Sequence, residues 1–245
     1  MIQYKEWDSN FFEKKTGSIS RNVLINASIG DKITEEIENG QYKFLYYFHD
    51  LSIESHTQPD IKALAQLGFK YIDTHGSFAL DLSKVQPPLE TSYSIFIVNN
   101  PNEINRVKLE HLVKELSVVG RFYLDSECPR DKATELYQTW LDKSFSKEMA
   151  DWVYIIGDKE NPLGFVTLKR VDDDEIDLSL IVVDESMRGK GVGKLLALSA
   201  LSDFKGKFKR CSVKVSLSNV SAVRCYESLE FTLTKSYQIY HAHLN

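Results

Sequence analysis

Two short segments carry residue types and spacings that can do chemistry. In the first, Arg188-Gly189-Lys190-Gly191-Val192-Gly193 places glycine at every second position, between the apolar run Leu180-Ile181-Val182-Val183 and a leucine-rich stretch from Lys194 to Phe204. A strand that turns through such glycines into a helix leaves successive main-chain N–H groups unpaired and pointing outward, and the helix dipole adds partial positive charge there. That is a seat for a pyrophosphate. The third glycine comes one residue too early for GxGxxG, and Lys194 is followed by Leu195 rather than Ser or Thr, so neither a dinucleotide fingerprint nor a P-loop is present. In the second segment, from Asn219 to Phe231, Asn219 stands at a helix cap, Ala222 and Tyr226 share one helical face, and Leu229 and Phe231 read as core anchors.

The elements that must position these groups follow from periodicity. Ile33 and Ile37 predict a helix from Asp31 to Asn39 stopped by Gly40, and the aromatic run from Tyr42 to Phe48 predicts a strand. A helix starting near Pro59 is expected to bury Ile61, Leu64 and Ala65, with Leu67 at its end before Gly68. Phe69 to Leu82 reads as one long strand or as a hairpin around Thr74-His75-Gly76, and Pro87-Pro88 halts regular structure. A boundary there divides the chain into domains 1–86 and 87–245. The second part is expected to hold a strand from Ser94 to Val98 and a helix from Asn102 to Leu116 burying Ile104, Val107, Leu109 and Leu112. A loop at Arg121 to Asp125 precedes a helix from Thr134 to Phe145, then an antiparallel meander at Trp152–Ile156, Gly164–Val171 and Ile176–Val183. The glycine turn and its helix follow, then a strand from Arg210, a helix near Ala222 and a closing strand from Tyr237 to His243.

The two halves echo one another. Leu67-Gly68-Phe69 is followed by Phe78, and Leu229-Glu230-Phe231 by Tyr240, each nine residues after its Phe. The likeness is compatible with a duplicated half-domain and with chance recurrence of helix, turn and strand. The first copy has no glycine loop and is not expected to bind the same ligand.

Composition narrows the function classes. The chain has 245 residues, of which 42% are hydrophobic, and a net charge of −5, the wrong sign for general nucleic-acid or anionic-membrane binding. Cys128, Cys211 and Cys225 form no CxxC pair and no Cys/His ligand spacing, so neither a disulfide framework nor a metal site is expected. No apolar stretch has the length of a membrane span or the pattern of a signal peptide, and a reducing cytoplasm fits the cysteine usage.

The R-x-x-G-x-G loop after a strand, joined to Asn-x-x-Ala-x-x-x-Tyr, resembles the GCN5-related N-acetyltransferase (GNAT) superfamily from about Ser94 onward. The resemblance implies an α/β fold with a mixed, mostly antiparallel sheet flanked by helices, preceded here by a smaller α/β domain, and acetyl-coenzyme A as co-substrate. It implies that the main chain of Arg188, Gly189, Lys190, Gly191, Val192, Gly193 and Lys194 holds the coenzyme's pyrophosphate. It further implies that Ile181, Val182 and Val183 line the thioester, Asn219 approaches the pantetheine arm, and Tyr226 protonates the leaving thiolate. Glu230 departs from the family by replacing the glycine of a closing Leu-Gly-Phe.

A narrower likeness, carried by Trp7, Asn10-Phe11-Phe12, Leu67-Gly68-Phe69, Arg121-Phe122 with Asp125, and Tyr137-x-x-Trp140, is to the dTDP-fucosamine acetyltransferases. It implies a nucleotide-linked 4-amino sugar as acceptor and a base at Asp73, with His75 as the alternative. Arg121 and Phe122 would meet the diphosphate and the nucleobase. Acetylation of a protein amine and silent coenzyme binding are the competing readings. No metal, nucleic acid or membrane span is expected, and a homodimer is left open.

Overall fold

The computed structural model describes residues 1–19, 23, 25–51, 59–88 and 91–244. The first half runs β1 (Ile2–Tyr4), α1 (Glu6–Phe12), β2 (Thr16–Ile19), α2 (Ala27–Gly40), β3 (Phe44–Asp50), α3 (Ile61–Gln66) and β4 (Phe69–Asp81). The second continues with β5 (Ile95–Ile97), α4 (Arg106–Ser117), α5 (Arg121–Leu124), α6 (Arg130–Phe145), β6 (Trp152–Gly157), β7 (Pro162–Arg170) and β8 (Glu175–Val183). It closes with α7 (Val192–Ser202), β9 (Arg210–Ser216), α8 (Val220–Ser228) and β10 (Thr232–His243). The architecture is the expected α/β arrangement of a mixed sheet flanked by helices. Among the described residues no helix is long and apolar enough to cross a membrane.

The strands form one sheet in the order β1-β2-β3-β10-β4-β9-β8-β7-β6-β5. Read outward from the β10–β4 pair, the order is the same on both sides. β10 and β4 are antiparallel; each meets an antiparallel neighbour, β3 or β9, which lies parallel to β2 or β8, which pairs antiparallel with β1 or β7. Each half thus lends its last long strand to the other. The echo in the sequence is the trace of this pseudo-twofold, because Gly68 and Glu230 end corresponding helices with φ of +79° and +68°.

Glu230 takes this left-handed conformation because the Phe231 N–H reaches Tyr226 O at 3.0 Å and the Glu230 N–H reaches Glu227 O at 3.0 Å, which requires a reversed turn after α8. A left-handed non-glycine residue costs about 1–2 kcal/mol, partly offset by the lower unfolded-state entropy of Glu relative to Gly. Glu230→Gly should therefore stabilise the fold by about 0.5–1 kcal/mol, read as a rise of a few degrees in Tm.

Helices cover both faces of the sheet. On one face α7 and α8 pack on β4 and β6–β9 through Leu196, Ala200, Val213, Tyr226 and Leu80, while α2 and α3 cover β3 and β10 through Ile33, Leu64, Tyr47 and Tyr240. On the other, α4 and α6 bury Leu109, Leu112 and Phe145 against Phe165, Leu180 and Val182, and an aromatic group around Phe44, Tyr46 and Phe122 packs beneath α1 and α5. Between these two clusters lies a polar stretch of sheet.

Two bulges decide what faces that stretch. In β4, Tyr71 pairs with Tyr240 and Asp73 with Ile239, so Ile72 is an extra residue. In β8, Leu178 pairs with Leu168 and Leu180 with Thr167, so Ser179 is extra. A single extra residue inverts the alternation of every side chain beyond it. Leu178 accordingly packs under α7 and α8 whereas Leu180 packs under α4 and α6, and Asp73 and His75 turn away from the face that holds Phe69.

Several expectations need correction. Phe69–Asp81 is one continuous strand, which removes the hairpin around His75. Arg121 to Asp125 is not loop, because Arg121–Leu124 is a short helix closed by Asp125. Val107 and Ile61 are exposed, at 74% and 64%. Ile61 is the first residue of α3 after its cap Asp60 and Val107 the second of α4 after its cap Asn105, where other residues of the first turns face inward.

Candidate active site

Pairing between β8 and β9 is parallel and stops at Leu178–Val213, after which the strands diverge. Leu180 donates its N–H to Thr167 Oγ1 at 3.1 Å and Asp184 donates to Leu163 O at 2.8 Å, both across β7. By alternation the N–H groups of Ile181 and Val183 face the gap between β8 and β9, where no strand takes them. Sheet polarity therefore leaves main-chain donors at a fixed place inside the molecule.

Two cavities meet at this gap. One, about 240 Å³, lies between α4, the start of α7 and α8, and is lined by Ile181, Val182, Val183, Arg188, Gly193 and Asn219 among others. The second, about 350 Å³, lies over the polar stretch of sheet under α4, α5 and α6, and is bounded by His75, Arg121, Tyr137, Trp140, Ser216 and Tyr237 among others. Ile181, Asn219, Ala222 and Tyr226 line both.

At the outer end of the smaller cavity, Gly189 and Gly191 adopt φ of +73° and +77°, which turns the chain sharply ahead of α7. The N–H groups of Gly189 through Lys194 make no hydrogen bond among the described residues; the first α7 amide to find a partner is that of Leu195, on Gly191 O at 2.9 Å. Consecutive free amides at a helix start fit an anionic diphosphate. The side chain of Val192 is buried in the core, so only its main chain is free for such a role. Lys194 donates from Nζ to Ser228 O at 2.8 Å and so bridges α7 to the end of α8. Arg188 donates to Glu115 Oε2 at 2.6 Å, a partner on α4 that no local pattern in the sequence announces.

Asn219 caps α8 as expected, accepting from the Ala222 N–H at 3.1 Å. One turn further on, Tyr226 is 4% exposed and packs its ring against Phe78 and Phe231. Burial pushes its phenol far above the usual value, so the group stays protonated. Its hydroxyl has no hydrogen-bond partner among the described residues, unlike that of a buried tyrosine serving the core alone.

Asp73 is 4% exposed and does not line the cleft. His75, two residues on, does, and its Nε2 lies 3.1 Å from Asp73 Oδ2. Burial raises the Asp73 pKa, but contacts with His75 and Ser216 and the Thr74 N–H at 2.8 Å outweigh it and hold the carboxyl below its ordinary range. The pair places an imidazole at the surface of the cleft with a carboxylate behind it.

Arg121 projects into the same cleft over three aromatic faces, 4.9 Å from the Tyr46 ring, 5.1 Å from Phe48 and 4.6 Å from Phe122. Its guanidinium forms no hydrogen bond or ion pair among the described residues. Phe122 is 1% exposed and supports Arg121 from beneath rather than presenting an open ring face. The open aromatic surface of the cleft comes instead from Tyr137 and Trp140, whose ring centroids are 4.9 Å apart.

Comparison with known proteins matches this arrangement. Residues 120–231 fit the model of the acetyltransferase (GNAT) family. The spore coat polysaccharide biosynthesis protein SpsD of Bacillus subtilis (strain 168) is 30% identical over 133 residues, a stretch that spans 53% of this chain and 45% of that relative. A functionally unknown conserved protein from Staphylococcus epidermidis ATCC 12228 superposes with a TM-score of 0.63 at 12% identity, over 94% of this chain and 85% of its own. A tandem GNAT protein from the clavulanic acid biosynthesis pathway gives 0.57 at 15% identity, over 93% and 74%. A GCN5-related N-acetyltransferase from Kribbella flavida gives 0.57 at 12% identity, over 93% and 81%. Residues 120–231 thus match the acetyltransferase (GNAT) family model, within a fold that the chain shares with GNAT proteins along most of its length.

Proposed function

We propose that this protein moves the acetyl group of acetyl-coenzyme A to the amino group of an amino sugar carried on a nucleotide, of the dTDP-4-amino-deoxysugar type. The observation that carries the reading is the meeting of the two cavities at the β8–β9 gap, one beginning at free main-chain amides and the other holding an unpaired Arg121. The amides of Gly189 to Lys194 would seat the coenzyme's diphosphate, and Asn219 would guide its pantetheine arm. Arg121, which has no direct ion pair among the described residues and only the electrostatic influence of Asp8, suits the diphosphate of the acceptor. Tyr137 and Trp140 offer faces for its rings. The name of the Bacillus relative, which belongs to polysaccharide biosynthesis, points the same way.

The coenzyme supplies an acetyl thioester; the protein supplies position and proton management. A protonated amine cannot attack, so a base must take its proton. His75 lies at the cleft surface with Asp73 behind it, and the two serve as base and orienting carboxylate. The Ile181 and Val183 N–H groups, fixed by the bulge in β8, meet the negative charge that develops on the acetyl oxygen. Tyr226 returns a proton to the departing sulfur. Residues 1–86 contribute the wall that carries His75, and the three free cysteines suit a reducing cytoplasm.

Release of free coenzyme when dTDP-4-amino sugars, UDP-amino sugars and peptides are offered in turn tests the reading. Turnover on peptides with none on sugar nucleotides would replace it, and stabilisation by acetyl-coenzyme A without turnover on any acceptor would leave a silent binder. Glu115 provides a second check. It sits beside the proposed diphosphate seat and engages Arg188, so Glu115→Gln should tighten acetyl-coenzyme A binding about two- to fivefold, the range of a partly exposed ion pair. Unchanged or weaker binding in calorimetry would detach Arg188 from that role.

A further inference from the structure

Away from the cleft, the carboxylate that closes α5 faces two histidines of β10. Asp125 Oδ2 lies 2.8 Å from His241 Nδ1 and 2.8 Å from His243 Nε2. The other oxygen, Oδ1, accepts from the Glu127 N–H at 3.0 Å. The side chains of Asp125, His241 and His243 are 3%, 0% and 12% exposed. His241 and His243 share a face of β10 because side chains alternate along a strand, and one donor atom from each of the three residues falls within 4.8 Å of the others.

His241 Nε2 and His243 Nδ1 are buried with no partner among the described residues. The cluster is walled by Phe44, Tyr46 and Phe122, with Phe44 stacked 4.2 Å from the His243 ring. The nearby cation, Arg121, is turned to the aromatic faces and the cleft.

We propose that Asp125, His241 and His243 bind one divalent transition metal ion of the zinc class. Two imidazoles and a carboxylate are the nitrogen and oxygen donors that such an ion prefers, whereas calcium and magnesium take oxygen shells. Bonds of about 2.0–2.2 Å in tetrahedral array set donor atoms roughly 3.3 Å apart, so each of the two oxygen–nitrogen distances, now 2.8 Å, would open by about half an ångström. Water takes the fourth position from the side of His243, the most exposed of the three. The ion would tie α5 to β10. Since α5 begins at Arg121, it would hold that guanidinium in the acceptor cleft as a positioning device rather than a participant in acyl transfer. The inference stands apart from the choice of acceptor.

The test uses the full chain without a histidine tag, stripped with a chelator, dialysed and titrated with zinc ion alone. One zinc per chain by mass spectrometry is expected, with a rise in Tm of roughly 10 °C at zinc a thousandfold above Kd. Cobalt substitution should give the visible absorption of a four-coordinate ion. Asp125→Asn, His241→Gln and His243→Gln should each weaken zinc binding at least about tenfold. His111→Gln, in the exposed cluster with Glu115 and Asp184, should not. Less than a tenth of an equivalent of zinc with no Tm shift in the unaltered protein overturns the proposal without recourse to variants. So does binding that persists in His241→Gln and disappears in His111→Gln.

Discussion

Removing one oxygen atom from Tyr226, as Tyr226→Phe, should lower turnover by roughly 10²- to 10⁴-fold and leave acetyl-coenzyme A binding unchanged. The prediction separates chemistry from packing unusually cleanly here. The ring contacts with Phe78 and Phe231 survive in the variant, and the lost hydroxyl has no partner to strand among the described residues, so Tm should move by less than a degree or two. Measuring turnover, coenzyme affinity and Tm together decides the matter. Full activity in the variant would return Tyr226 to the core, and a parallel loss of Tm would mean that the phenol supports the fold.

His75→Gln should cost a similar factor, about 10²- to 10⁴-fold in kcat/KM, with little change in coenzyme affinity, because His75 lines only the acceptor cavity. Asp73→Asn should lose less, about tenfold or more, since the imidazole remains but its orienting charge is gone. In His75→Ala, free imidazole added to the assay should recover part of the lost rate if the ring acts as the base; no recovery, with the acceptor KM raised and kcat intact, would make it a binding residue. The order of the two effects matters. A larger loss at Asp73 than at His75 would mean that the carboxylate takes the proton itself.

Much of the donor side was legible in the sequence because its signals are local. Glycines at alternate positions between an apolar strand and a helix, an Asn cap and a Tyr one turn on are all set within short windows, and the structure brings Arg188, Gly193, Asn219 and Tyr226 to one cavity. The acceptor side was read less completely because sheet geometry assembles it from distant segments. The bulge at Ile72 that turns His75 toward the cleft has no sequence signature, and a two-residue alternation runs straight through it. The aromatic seat of Arg121 draws on Tyr46 and Phe48 from β3, beyond any local window. The Asp125 cluster joins residues more than a hundred positions apart and has no local spacing to announce it, although His241-x-His243 on a strand is one signal of it. Val107 and Ile61, apolar residues at the starts of their helices, face outward because the caps at Asn105 and Asp60 set a different phase.

The exchange of β4 and β10 between the halves has a consequence for how the protein is made. β3 does not pair with β4, and the place between them is filled by residues that leave the ribosome long after both. The nascent amino-terminal half therefore waits with three unsatisfied strand edges, one on β3 and both of β4, a form that invites misassociation, until β9 and β10 have been made. Maturation is all-or-nothing: a ribosome stalled before Thr232 releases neither a finished first half nor a finished second one.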